Sequence, residues 1–109
     1  RLKMEYQILP KDLKKKIDSK EDFILLDVRN SDEYEIAKIK GSKLIPLNEL
    51  ENKFNELSKD KEIIVYCHRG IRSQRAVEFL KEKGYKNVKS LVGGIDVWSR
   101  FIDDSIPQY

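Results

Sequence analysis

The sequence holds one cysteine and one histidine in 109 residues. A single thiol excludes an internal disulfide framework, and with a single imidazole beside it even a minimal Cys/His metal site lacks ligands. Long apolar runs are missing as well. The longest, Phe23-Ile24-Leu25-Leu26 and Ile63-Ile64-Val65-Tyr66, fall far short of the roughly 20 residues that cross a bilayer, so no membrane association is expected. No basic start followed by a long apolar stretch marks a signal peptide. Internal repeats and low-complexity linkers are absent too, so residues 1–109 read as one domain with one ordinary core. Clustered charge is lacking: 22 basic and 19 acidic residues leave a net charge of +3, spread along the chain. A nucleic-acid partner is therefore not expected. A lone thiol fits a reducing compartment, which makes the expected location cytoplasmic. The chain opens on Arg1 rather than Met, a start expected of an excised domain or a processed product.

What is present is an alternation of short apolar runs and helical patterns, the signature of an α/β fold with a parallel sheet covered by helices on both faces. Tyr6-Gln7-Ile8 predicts a short strand, and Pro10 opens a helix to about Ile17. Phe23 to Asp27 reads as a strand buried on both faces. Asn30 is placed to cap a helix over Asp32 to Ala37, with Glu33 completing a capping box. Lys43 to Ile45 is a further strand. Leu47, Leu50, Phe54 and Leu57 then form one apolar helical stripe, capped by Asn48. Glu62 to Tyr66 is the second buried strand and runs directly into Cys67. A helix from about Ser73 follows, stopped by Gly84. Val88 to Leu91 is the last strand, and Gly93-Gly94 turns the chain into a short helix carrying Trp98. Sites in such folds lie at the carboxyl ends of the strands, where Cys67 and Asp27 both fall.

The segment Cys67-His68-Arg69-Gly70-Ile71-Arg72-Ser73 gathers several effects. A helix start presents unpaired N–H groups and the positive end of the helix dipole. A tight loop turns successive N–H groups toward one point, and Gly70 tolerates the positive φ that such a curl needs. Arg69 and Arg72 add two guanidinium groups. This field favours the thiolate of an exposed Cys67, the nucleophilic form. Without the loop, a lone cysteine after an apolar strand would read as a small buried residue; the glycine, the arginines and the helix start reverse that reading. His68 is read as a rim or solvent-exposed residue rather than a general base, since neighbours on a tight loop rarely point at each other. Arg69 either steers anions or is simply solvated. Arg72 sits at the helix entry, the alternative being an inward salt bridge, with Asp27 a candidate partner.

The run Cys67-x-x-Gly70-x-Arg72-Ser73 after Ile63-Ile64-Val65-Tyr66 resembles the active-site loop of rhodanese-like domains. The resemblance extends to Leu25-Leu26-Asp27-Val28-Arg29 with Glu33-Tyr34, to Ile39-Lys40-Gly41-Ser42 with Ile45-Pro46-Leu47, and to Gly93-Gly94-Ile95 with Trp98. Four motifs in order cover nearly the whole chain. The resemblance implies a three-layer fold whose five-stranded parallel sheet lies between helices. It also implies a sulfurtransferase in which Cys67 takes a sulfane sulfur from a small anionic donor such as thiosulfate, or from a protein persulfide. The persulfide would rest among the N–H groups of His68 to Ser73, with Asp27 and Arg29 as supports and no cofactor. Trp98-Ser99 through Ile102-Asp103 to Ile106-Pro107-Gln108-Tyr109 is similar to the ending of rhodanese domains fused to adenylyltransferases, which makes a ubiquitin-like sulfur carrier an expected partner; a free-standing protein with such a tail is the alternative. Two rival functions are implied by the same resemblance. Cysteine-type phosphatases place five residues between their Cys and Arg, whereas four, His68 to Ile71, stand here. Binding-only rhodanese-like modules often lack the cysteine.

Overall fold

The computed structural model describes residues 2–109, and Arg1 lies outside them. Five parallel strands form one sheet: β1 (Gln7–Ile8), β2 (Phe23–Asp27), β3 (Lys43–Leu44), β4 (Glu62–Tyr66) and β5 (Val88–Leu91), in spatial order β1-β5-β4-β2-β3. The two apolar runs of the sequence are the central strands β2 and β4, paired from Phe23 opposite Glu62 to Asp27 opposite Tyr66. Being covered on both faces, they need apolar side chains in both directions.

Each face has its own core. On one, Leu26, Ile63, Val65 and Val88 pack against Ala76, Val77 and Leu80 of α4 (Ile71–Glu82) and against Leu50 and Leu57. On the other, Leu25, Ile64, Tyr66 and Leu91 meet Leu13 of α1 (Pro10–Asp18) and Ile95 and Trp98 of α5 (Gly94–Phe101). Alternate residues of a strand point to opposite faces, so β4 sends Ile63 and Val65 one way and Ile64 and Tyr66 the other. Cys67 continues the first series and lies on the α4 side. Among the described residues no helix is long and apolar enough to cross a membrane.

Three local expectations need correction. The stripe from Leu47 to Leu57 is not one helix capped by Asn48. It is a 3-10 turn (Leu47–Glu49), a single α turn, α3 (Leu50–Lys53), and another 3-10 turn (Phe54–Glu56). At its start the Leu47 N–H is tied to Val28 O, and at its end Tyr85 Oη donates to the carbonyls of Phe54 and Leu57. Asn48 sits inside the first turn, preceded by Pro46. The helix after Cys67 starts at Ile71 rather than Ser73, with Gly70 (φ +106°) as its cap. The Asn30-capped helix, α2, runs Ser31–Ile36, with the Glu33 carboxylate accepting the Asn30 N–H at 3.1 Å.

β2 ends in a buried ion pair. Arg29 and Asp27 are both fully buried, with Arg29 Nη2 donating to Asp27 Oδ2 at 2.6 Å and Nε to Oδ1 at 3.0 Å. The Asp27 carboxylate also accepts the Arg29 backbone N–H. Burial opposes the guanidinium charge, but the bonds to Asp27 and Tyr109 prevail and hold Arg29 above its ordinary range. Arg29→Ala would leave the Asp27 carboxylate buried and unpaired, which costs about 3–5 kcal/mol. Urea unfolding at neutral pH checks this. A loss below about 1 kcal/mol, the size of an exposed pair, would contradict burial of the pair.

Candidate active site

Two helix starts converge on the segment between β4 and α4. The first is that of α4. Its cap, Gly70, donates its N–H to Cys67 Sγ at 3.1 Å, and Ser73 donates its own at 3.4 Å. The second is that of α5. The Ile95 and Asp96 N–H groups donate to the carbonyls of Cys67 and His68, each at 2.9 Å. Free N–H groups of a helix's first turn are thereby spent on fixing the loop backbone. Such an approach leaves no room for a side chain at Gly94 (φ +60°), where a Cβ would sit 2.5 Å from both carbonyl oxygens.

Cys67 is not exposed. It is 1% accessible, with its sulfur beneath the loop and Sγ 3.6 Å from Ser73 Oγ. Above it lies a shallow pocket of about 190 Å³ lined by Cys67, His68, Arg69, Ile71 and Arg72. Arg69 is exposed on its rim and makes no ion pair among the described residues. Ile71 projects outward, 69% accessible. A larger hollow of about 340 Å³ beside Trp98, Ile17 and Ile106 does not include Cys67.

Arg72 does form an inward ion pair, but its partner is Glu33 and not Asp27, which Arg29 already occupies. Nη1 and Nη2 of Arg72 donate to the two Glu33 oxygens at 2.7 and 3.0 Å, a two-pronged geometry that fixes orientation as well as charge. The Glu33 carboxyl is held down to about 2, first by Arg72, against the effect of burial, and further by the Asn30 N–H and the Tyr109 hydroxyl. The same bond raises Arg72.

Tyr109 packs beside the rim. Its hydroxyl donates to Glu33 Oε2 at 2.8 Å and accepts from Arg29 Nη1 at 2.6 Å. Its ring stacks on His68 with centroids 4.1 Å apart. His68 is thus a rim residue clamped by an aromatic, and its Nε2 is buried without a hydrogen-bond partner among the described residues. Burial foremost pushes the Tyr109 hydroxyl up to about 12, so it stays protonated at neutral pH. Sequence reasoning placed the loop, Asp27 and Arg29 near one another but gave Glu33 only a capping role and a place in a motif, and Tyr109 only a place in the tail. For each the available signal was the resemblance itself, which took in Glu33-Tyr34 and the ending at Tyr109 without saying what either side chain touches. Among the described residues no grouping of His, Cys, Asp and Glu side chains could hold a metal ion.

A wholly parallel sheet whose central strand delivers a cysteine to a helix-capping loop narrows the class to the cysteine-loop α/β domains. Within it, this chain belongs to the rhodanese-like domain family, which it matches over residues 9–101. The adenylyltransferase and sulfurtransferase MOCS3-2 of Zea mays is 38% identical over 110 residues, covering 94% of this chain and 23% of the maize protein. The thiosulfate sulfurtransferase GlpE of Coxiella burnetii is 37% identical over 79 residues, 72% of this chain and 74% of that protein. A rhodanese-related protein from Thermoplasma volcanium superposes with a TM-score of 0.78 at 37% identity, covering 93% of this chain and 94% of the other. The chain is therefore homologous to sulfurtransferase domains, while spanning about a quarter of the maize relative's length.

The Arg72–Glu33 pair carries a pH dependence. Because the folded Glu33 carboxyl lies near 2, below its ordinary 4.5, its contribution to stability is complete above that ordinary value. It is lost as the pH falls through the folded value. Glu33→Gln should therefore be less stable than the wild type near pH 7, and the gap should close as the pH falls from about 4.5 toward 2. Urea midpoints across that window test this; a constant gap would contradict it.

Proposed function

We propose that this chain is a sulfurtransferase that carries a sulfane sulfur as a persulfide on Cys67. The observation that carries the reading is the Cys67 sulfur itself, set at the end of β4 and accepting the N–H groups of Gly70 and Ser73 at the start of α4. Its homology to proteins named as sulfurtransferases supports the same chemistry. In the first step the Cys67 thiolate attacks the outer sulfur of a donor such as thiosulfate or a protein persulfide. A bond forms between Sγ and that sulfur, the donor's S–S bond breaks, and its electron pair leaves with sulfite or with the donor thiolate. In the second step a nucleophile attacks the terminal sulfur and the Cys67 thiolate departs.

A pocket of about 190 Å³ with Arg69 and Arg72 on its wall suits a small anion. The loop N–H groups and Arg72 stabilise the charge that builds on the donor, while Arg69 draws anions to the rim. His68 and Ile71 shape the mouth, and Ser73 anchors the sulfur from below. Asp27 and Arg29 hold the strand end beneath Glu33 and Tyr109. No cofactor enters this scheme. The tail's resemblance and the maize relative favour a ubiquitin-like sulfur carrier as acceptor. A cytoplasmic setting, which keeps a thiol reduced, fits the reading.

Incubation with thiosulfate or a persulfide donor, followed by intact mass measurement, should add one sulfur atom that is lost on reduction and absent in Cys67→Ser. An unmodified mass with every donor would point to a non-catalytic binding module instead. Aryl phosphates should not be turned over, because the loop is one residue shorter than that of the cysteine phosphatases; robust Cys67-dependent hydrolysis would reverse the assignment. Arg72→Ala should slow sulfur uptake by about tenfold, less than the loss of a dedicated oxyanion donor, since Glu33 shares its charge. Wild-type turnover in that variant would refute the role given to Arg72.

A further inference from the structure

One buried hydroxyl beneath the loop takes no part in the scheme above. Ser90 stands on β5 in register with Val65 of β4 and is 2% accessible. A hydroxyl so placed must bond its proton. Among the described residues its Oγ has one partner, Ser73 Oγ at 2.7 Å. That distance leaves the donor open, but the supply of protons decides it. Ser90 has no other acceptor within reach, so its proton lies on the Ser73 oxygen. The proton of Ser73 is then left for one of two neighbours, Gly70 O at 3.1 Å or Cys67 Sγ at 3.6 Å.

These two neighbours correspond to two states of the sulfur. With Cys67 as a thiol, the S–H donates to Ser73 Oγ, and Ser73 donates to Gly70 O. Once the sulfur has lost its proton to solvent it can only accept, and the Ser73 proton turns to it. Gly70 O is not stranded by the change, because the Gln74 N–H also reaches it, at 3.4 Å. The ionised sulfur then accepts three donors: the N–H groups of Gly70 and Ser73 and the Ser73 hydroxyl. Throughout, Ser90 donates to the same oxygen and leaves Ser73 no acceptor other than those two.

We infer that Ser90 is a positioning residue for Cys67: it orients the Ser73 hydroxyl so that this group becomes the third hydrogen-bond donor to the ionised sulfur. The inference rests on the reading of Cys67 as the sulfur-carrying nucleophile and adds to it a residue on a different strand.

The test is alkylation of Cys67, the sole cysteine, by iodoacetamide as a function of pH in the full chain. Wild type, Ser90→Ala, Ser73→Ala and the double variant are compared. Ser90→Ala should react about 3- to 10-fold more slowly near pH 7, the effect of one weakened hydrogen bond. At the alkaline limit, where every sulfur is ionised, it should match or exceed the wild type. Ser73→Ala should be at least as slow near pH 7, and adding Ser90→Ala to it should change nothing, because Ser90 acts through Ser73. A wild-type rate in Ser90→Ala near pH 7 would overturn the inference. So would equal slowing at every pH, or a further loss in the double variant. Iodoacetamide needs no sulfur donor, which separates the two claims. A wild type that never gains sulfur yet shows this pattern would end the sulfur-transfer reading alone. A wild type that gains sulfur without the pattern would end the role of Ser90 alone.

Discussion

A guanidinium taken fully out of water must find an acceptor for each of its five N–H groups, and Arg29 does. Nε and one Nη2 proton go to Asp27, the other Nη2 proton to Ala37 O, and the two on Nη1 to Glu33 O and Tyr109 Oη. Those acceptors come from the end of β2, from the middle and the C-terminal cap of α2, and from the tail. One side chain thereby ties three parts of the chain together. Glu33 lies in one of them, and Glu33 in turn holds Arg72 at the start of α4. The geometry around Cys67 thus depends on a charge that itself faces away from the sulfur. A buried pair of this kind is a poor source of net stability; its value here lies in the directions it imposes.

The loop between β4 and α4 is held from two sides by the same kind of group used in two ways. The first turn of α4 offers N–H groups to the sulfur, whereas the first turn of α5 offers them to the loop's own carbonyls. The first use surrounds the sulfur with donors, and the second stops that arrangement from relaxing. Gly94 permits the second use because a larger residue would collide with the Cys67 and His68 carbonyls. The Gly93-Gly94 pair therefore belongs to the architecture of the cysteine loop as much as to that of α5.

Much of this was legible in local pattern. β2 and β4 could be read from unbroken apolar runs, α1 from Pro10, and the α4 side of the site from a cysteine followed by glycine and arginine. What local pattern could not supply were partners set by the three-dimensional path. Arg72 and Glu33 lie 39 residues apart, Arg29 and Tyr109 80 residues apart, and no periodicity relates them. The segment from Leu47 to Leu57 shows the opposite failure. Its spacing is helical, but a hydrogen bond to Val28 O and bonds from the Tyr85 hydroxyl claim its ends and break the helix into three tight turns. Burial of Cys67 was missed because the loop folds over the sulfur it serves.

The stack of Tyr109 on His68 has a consequence for the order in which the site comes into being. A ribosome delivers Cys67 and the whole β4–α4 loop well before Tyr109. A nascent domain can therefore pair its central strands and dock α4 while one Nη1 proton of Arg29 and one face of the imidazole still await their partner. The clamp on His68 comes from a residue made well after the loop it holds, so the cysteine is set in place before its neighbour is fixed.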